Sequence, residues 1–350
     1  MVVQSYLQRA VGHGASDVLF LAGKQPIMKV HGRMINLSDE PLTPKAVEEH
    51  IKEIYVLANQ RDFSRLRKGD DDFAIGVRGV GRFRVNAYQQ QVSLAAVLRV
   101  IPSEIPNPVH FGIPPGIMEL ADHTRGLILF TGVTGSGKTT SLACLIDKIN
   151  STRDGHIVTI EDPIEFKHPH KMGAVSHREL GIDSVSYASA LKSALRQTPD
   201  VILLGEMRDL ETMATAITAA ETGHLVFSTL HTRGAAATLE RIIDVFPVNQ
   251  QAQVRVQLSV SLQAIVAQQL LPTQDSKRIA AYEIMLMNPA IRNLIREGKV
   301  YQIDNVIQTS AASGMRTMDD DILDLYRQHK ISREIAMRYS FNPGEMLNKL

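Results

Sequence analysis

The nine residues Gly132 to Thr140, GVTGSGKTT, constrain this chain more than any other stretch. They fit the spacing G-x-x-x-x-G-K-[ST] through Gly132, Gly137, Lys138 and Thr139, with Thr134, Gly135 and Ser136 inside the loop and Thr140 just behind it. Upstream, Leu127, Ile128, Leu129 and Phe130 make an apolar run of strand length; downstream, Leu142, Leu145, Ile146 and Ile149 recur at the helical period. A strand, a glycine-rich turn and a helix N-terminus present a nest of backbone N–H groups and the positive end of a helix dipole, which is a cradle for a polyphosphate. The pattern predicts binding of ATP or GTP at residues 132–140. Lys138 reaches the β- and γ-phosphates, and the Thr139 hydroxyl coordinates the magnesium ion that bridges them.

Around this unit, strands and helices alternate, which predicts an α/β fold with a parallel sheet. His156 to Glu161 reads as a strand ending in Glu161 and Asp162, and Val201 to Leu204 as a buried strand with Glu206 just past its carboxyl end. In open α/β sheets that edge is where ligands bind. Tyr187, Leu191, Ala194 and Leu195 form the apolar face of a helix between them, and Asp209 caps the next one, which stops at Gly223. The strand from His224 to Leu230 places His231, and not His224, at the phosphate edge. Where an acid usually precedes the catalytic carboxylate there is Gly205, so Glu161 or Asp162 must complete the site. Either of them orients the attacking water while Glu206 serves the metal, or the reverse. His168, His170 and His177 are spaced like metal ligands, but the polar, proline-broken stretch predicts a solvated loop.

The first hundred residues read as a separate α/β domain, 1–101. A helix runs from Ala46 to Leu57 behind Thr43-Pro44, and strands fill Phe73 to Ile101 with glycine turns at Gly76, Gly79 and Gly81. In GRFRVNAY, Phe83, Val85 and Ala87 share one face while Arg82, Arg84 and Asn86 share the other. Arg99 lies in the apolar run Leu94 to Ile101, where it needs a sheet edge or an anion. On pattern alone these arginines are solvated surface. A proline-rich connector, 102–115, leads into the second domain, 116–350, whose pattern turns mostly helical after Pro272, with a helical subregion at about 280–350. Asn288 and Pro289 open the helix PAIRNLIREG, with Ile291, Leu294 and Ile295 inward and Arg292, Arg296 and Lys299 on an exposed basic face; Asp319, Asp320 and Asp321 open a later helix.

Composition excludes several classes of function. With 38 Lys+Arg against 37 Asp+Glu the net charge is +1, and no basic-aromatic interleaving occurs, so nucleic acid is not expected as a partner. No signal-like start and no apolar run of about 18 residues occurs, which predicts a cytoplasmic protein. The single cysteine, Cys144, excludes a disulfide framework and a cysteine-rich zinc site, and its helix position predicts a buried thiol.

Four further stretches sharpen the expectation: IEDPIEF at Ile160 to Phe166, GEMRDLET at Gly205 to Thr212, GHLVFSTLHT at Gly223 to Thr232 and AIRNLIREGK at Ala290 to Lys299. Together with the phosphate loop they resemble the Asp box, Walker B box, His box and C-terminal signature of the type IV pilus retraction ATPases, the PilT family, over nearly the whole chain. That resemblance implies a PAS-like N-terminal domain joined to a RecA-like ATPase domain with a helical C-terminal region. It implies a homo-hexamer that hydrolyses ATP with Mg2+ and drives pilin removal at the base of the pilus. It also implies a location at the inner face of the cytoplasmic membrane, held there through an inner-membrane platform protein. By motif it assigns Glu206, Glu161, Asp162 and His231 to catalysis, and Arg84 and Arg99, with Arg82, to the nucleotide. The segment AIVAQQLLPTQD at Ala264 to Asp275 is closer to the accessory PilU branch, whereas AIRNLIREGK fits the PilT branch in full. A nucleic-acid translocase on the same core and a small-molecule kinase are the competing readings. The first is disfavoured by the near-neutral charge and the second by the lack of a lid-like, arginine-rich segment.

Overall fold

The strand that feeds the phosphate loop is buried at every position from Gly126 to Thr131, and the rest of its domain is layered on it. The computed structural model describes residues 2–350 except His31, Gln60, Ser103 and Ser276, and except the side chains of Arg67 and Lys68. The chain divides into two compact units, residues 1–104 with 163–167, and residues 105–162 with 168–350.

In the first unit, α1 (Val2–Gly12), β1 (Asp17–Leu21), β2 (Ile27–Val30), β3 (Arg33–Asn36), α2 (Pro44–Leu57), β4 (Asp70–Val77), β5 (Gly81–Gln90) and β6 (Ser93–Ile101) follow in order. The strands form an antiparallel sheet in the order β3-β2-β1-β6-β5-β4. Thr43 caps α2 by accepting the Ala46 N–H, and Pro44 takes the first helical position, where its missing N–H costs nothing. Phe83, Val85 and Ala87 are fully buried with Val18, Leu98, Ile51 and Ile54, so one sheet face packs on the helices. Gly76 is not a turn residue: it lies inside β4 opposite Arg82, and the chain reverses at 78–80, where Gly79 takes a positive φ.

The second unit begins at 105, and Ile113 is already part of its core. Its elements are α3 (Pro115–Glu119), β7 (Gly126–Thr131), α4 (Lys138–Thr152), β8 (His156–Glu161), β9 (Ala174–Glu179), α5 (Tyr187–Ala194), β10 (Val201–Leu204), α6 (Leu210–Glu221), β11 (Leu225–Leu230), α7 (Ala235–Val245), α8 (Val248–Ser261), β12 (Leu262–Pro272), β13 (Arg278–Leu286), α9 (Pro289–Glu297), α10 (Ile303–Thr309), α11 (Met318–Arg327), α12 (Arg333–Tyr339) and α13 (Pro343–Lys349). The sheet order is β13-β12-β7-β11-β10-β8-β9, parallel except for β13. Leu127 and Leu129 of β7 enter one core layer with α5, α6, α7 and α8, while Ile128 and Phe130 enter the other with α4. Because both sheet faces are covered at its centre, β7, β10 and β11 are buried at every position and show no alternation, whereas the edge strand β9 is partly exposed.

Two expectations fail here. Residues 278–286 are a strand paired antiparallel with β12, so the C-terminal helices start at Pro289 and not near 280. Ile279 to Leu286, apolar except for Glu283, has no period that separates strand from helix, and its pairing partner is what decides. The basic face of α9 is also not uniformly exposed. Asn288 and Gly298 cap α9 as expected, but the Arg292 guanidinium donates to the carbonyls of Ser259 and Val260, the last turn of α8. It thereby satisfies carbonyls that a helix end leaves without an intrahelical partner. Arg296 and Lys299 remain exposed.

Candidate functional site

Strand register brings the site together in the second unit. Thr131 lies opposite Leu230, and Leu204 lies opposite both Ser228 and Ile160, so the phosphate loop, His231, Glu206 and Glu161 all emerge at the carboxyl edge of one sheet. The ladder runs on past β10: the Gly205 N–H donates to Ile160 O at 2.8 Å, and the Thr229 hydroxyl donates to Gly205 O at 2.6 Å.

The phosphate loop is shaped by glycines that nothing larger can replace. A Cβ on Gly132 would lie 2.3 Å from Gln268 O, and one on Gly137 would lie 2.7 Å from Gln268 Nε2; both residues have positive φ. The Lys138 ammonium, 7% exposed, donates to Gly132 O at 2.7 Å and Val133 O at 3.1 Å, so its charge lies across the mouth of the loop. Ser136 Oγ is buried without a hydrogen-bond partner among the described residues, and Thr139 and Thr140 are half-buried on the first turn of α4. An orphaned hydroxyl, a buried cation and a helix N-terminus fit a bound phosphate chain. Gln268 sits beneath the loop and accepts from the Ser141 hydroxyl at 2.9 Å. It was missed in the sequence, where its only signal is a polar pair, Gln268-Gln269, inside the apolar run of β12.

Glu206 is held on two sides, by Arg208 at 2.7 Å and by His231 Nε2 at 3.4 Å. Glu161 is buried and faces His177 Nδ1 at 3.9 Å; Asp162 beside it is exposed. Gly205 has a steric reason for lacking a side chain: a Cβ there would lie 2.9 Å from the Tyr187 hydroxyl and 3.3 Å from Ile160 O. Burial, then the carboxylates of Glu206, Asp162 and Glu161, push the Tyr187 phenol above its ordinary range. Tyr187, read from sequence as one more apolar helix position, therefore stands among the acids of the site, and Arg208 joins it. The expectation of a solvated loop holds for His170 but not for His168 and His177. His168 is buried, its ring stacks on His177 with centroids 5.9 Å apart, and burial followed by the His177 charge lowers its pKa to about 4. His177 contacts Thr159 Oγ1 at 2.8 Å and accepts the His168 N–H at 3.0 Å, whereas His170 is exposed. Among the described residues no cluster of His, Cys, Asp and Glu forms a metal cage of its own. Thr139, Glu206 and Glu161 supply the hard oxygen donors that suit magnesium held mainly through phosphate and water.

Arg82, Arg84 and Arg99 belong to the first unit and share one sheet face. Arg84 is directly opposite Arg99; Arg84 pairs with Asp72 at 2.6 Å, and Arg99 with Asp17 at 3.1 Å. Arg99 finds its anion on an interior strand and not at an edge. Cys144 is buried and donates to Pro106 O, and burial pushes its thiol up to about 11. Among the described residues no helix is long and apolar enough to cross a membrane.

A phosphate loop, a buried lysine and paired carboxylates at the carboxyl edge of a parallel sheet define a P-loop nucleoside triphosphatase. The family model described as type II/IV secretion system protein matches residues 1–281. The type IV pilus retraction ATPase PilT of Pseudomonas aeruginosa is 46% identical over 336 residues, which cover 96% of this chain and 97% of that protein. The type IV pilus ATPase PilU of the same organism is 42% identical over 99% of this chain and 90% of its own length. A crystal structure of the pilus retraction motor PilT with bound ADP superimposes with a TM-score of 0.91 at 47% identity, covering 99% of this chain and 98% of that one. The chain belongs to the type II/IV secretion ATPase family, and within it to the PilT-type pilus retraction ATPases.

Proposed function

We propose that this protein is the ATP-hydrolysing motor of type IV pilus retraction, working as a ring of six copies at the cytoplasmic face of the inner membrane. It acts there through a membrane platform protein and the filament base. The observation that carries the reading is the assembly of Lys138, Glu161, Glu206 and His231 on one sheet edge, in a chain similar over nearly its full length to PilT. The loop amides, Ser136 and Lys138 hold the phosphates of ATP. Thr139 with Glu206 or Glu161 would hold a magnesium ion, which would supply positive charge against the phosphates. The other carboxylate orients the attacking water, with His231 and Arg208 fixing Glu206. Arg84 and Arg99, with Arg82, stabilise phosphate charge on a neighbouring copy. The higher identity to PilT than to PilU favours the retraction motor over an accessory role.

Two measurements on Lys138→Ala test the reading. The purified variant should lose turnover by about 10³-fold or more with its melting temperature kept within a few degrees, since Lys138 neutralises phosphate charge and does not pack the core. Cells in which it replaces the natural gene should assemble pili that do not retract. Normal ATPase activity would sink the site, and normal retraction by the inactive variant would sink the motor.

A further inference from the structure

Helix α7 starts four residues after His231, and it starts without a cap of its own. Its N-cap is Gly234, which has no side chain to accept the free amides of the first turn. The acceptor comes instead from β13: Glu283 Oε1 takes the Ala235 N–H at 2.7 Å in a fully buried contact. Glu283 also takes a backbone hydrogen bond from Met318, the first residue of α11, so one carboxylate closes the N-termini of two helices. Space around it is tight. A Cβ on Gly234 would meet Glu283 Oε1 at 3.2 Å and the Phe341 ring at 3.4 Å, and the Phe341 and Asn342 amides donate to Asp319 of α11 at 2.6 and 2.8 Å. The loop is knitted from within as well: the Thr232 and Thr238 hydroxyls are 2.7 Å apart, and Thr238 donates to Gly234 O at 2.6 Å.

A buried carboxylate in this place needs a reason. Burial pushes Glu283 up to about 7, and Asp304 and Asp319 push in the same direction, while the Ala235 and Met318 amides oppose it. An apolar residue of similar volume would spare that desolvation cost. What it could not do is hold the amides that fix where α7 begins.

We infer that Glu283 is a positioning residue for hydrolysis, holding the loop Leu230–Gly234 so that His231 meets Glu206, and tying that loop to the C-terminal helices through α11. The inference rests on the site assigned above, in which His231 helps fix Glu206 for hydrolysis. Misplacing a catalytic group by about 1 Å costs on the order of 10²-fold, and the phosphate loop takes its shape from its own residues and Gln268, not from α7.

The test is steady-state ATPase kinetics on the full-length protein. Glu283→Ala should lower kcat by about tenfold or more with KM for ATP within about threefold, and should cost nothing further when His231 is already Ala. Glu283→Gln keeps the volume but replaces one acceptor oxygen with an N–H donor facing N–H donors; it should lower kcat several-fold with the melting temperature retained. It decides the matter if the alanine variant does not fold. Full additivity of Glu283→Ala with His231→Ala, a loss expressed in KM, an unchanged kcat in Glu283→Gln, or a His231→Ala enzyme with normal kcat would each overturn the inference. Undiminished activity in Lys138→Ala would instead overturn the functional reading on which it rests.

Discussion

The two halves of the site are built in opposite ways. The phosphate side is nine consecutive residues whose shape is fixed by backbone: Gly132 and Gly137 sit where any Cβ would strike Gln268, and Lys138 folds back onto the loop's own carbonyls. The carboxylate side has no local shape at all. Glu161, Glu206 and His231 come from three strands, and only the register of β8, β10 and β11 brings them to one edge. A local cradle tolerates change elsewhere and fails when its own residues change. An assembled cluster also fails through residues that merely hold the strands' ends.

The largest effect that sharpens this contrast lies outside both halves. Arg84 and Arg99 stand side by side on the first unit's sheet, and arginines that stabilise phosphate charge contribute on the order of 10³-fold or more in turnover. In a closed ring, a head-to-tail interface lets each copy complete its neighbour's site. Subunits carrying Arg84→Ala and subunits carrying Lys138→Ala, each inactive alone, should therefore recover partial ATPase activity when mixed. Mixed rings that assemble but stay inactive at every ratio would mean that the arginines serve their own chain or that hydrolysis needs every site in the ring intact.

Within the assembled half, Glu206→Gln should leave nucleotide binding near normal and lower kcat by about 10²–10⁴-fold, since the amide keeps the shape but can neither act as a base nor hold metal-bound water as a carboxylate does. A greater loss from Glu161→Gln at saturating ATP would assign the attacking water to Glu161 and the metal to Glu206. Glu161 is the more buried and faces His177 at 3.9 Å, while Glu206 already pairs with Arg208 and His231.

Stability offers a third measure. His168 is buried neutral, with its pKa lowered from 6.5 to about 4 by burial and by His177. A group with a depressed pKa that charges as pH falls binds protons more readily in the unfolded chain. Its contribution is therefore present above about pH 6.5 and lost as pH drops through about 4, on the order of 3 kcal/mol in all. Urea unfolding at pH 7 and pH 4 should show this acid loss in the natural protein and a smaller one in His168→Leu. Equal losses in both would mean that other groups carry the acid sensitivity.

How legible each half was in the sequence follows from the same difference. The phosphate loop, its strand and its helix could be read because their signals lie within a few residues of one another. So could the ends of β8 and β10, the Asp209 cap of α6 and the Asn288 cap of α9. Gln268, Tyr187 and Glu283 could not, because each acts on residues brought near only by strand pairing or helix packing, whereas Arg208 pairs with Glu206 only two residues before it and carries no pattern that marks the pair. β13 was hidden for the same reason, and the burial of His168 against His177 could not be read because polar composition says nothing of what folds over it.

The smallest expected effect concerns the residue that most clearly belongs to the assembled half, Gly205. Its α-carbon is crowded by the Tyr187 hydroxyl, Ile160 O and Glu161 Cα, at 2.9, 3.3 and 3.5 Å from a would-be Cβ. Two of these neighbours are backbone and cannot turn away; the third is the far end of a side chain. Gly205→Ala should therefore destabilise the protein by roughly 1–3 kcal/mol, the usual range for overpacking, and nudge Glu206 on the next residue. Removing the hydroxyl with Tyr187→Phe relieves the shortest of the three contacts and leaves the backbone ones. The double variant should regain part of the lost stability, which urea unfolding reads directly, while Tyr187→Phe alone changes it little. Additive losses would show that the strand ends, and not the tyrosine, forbid a side chain at 205. The carboxylate side would then be as rigidly fixed by its backbone as the phosphate loop is.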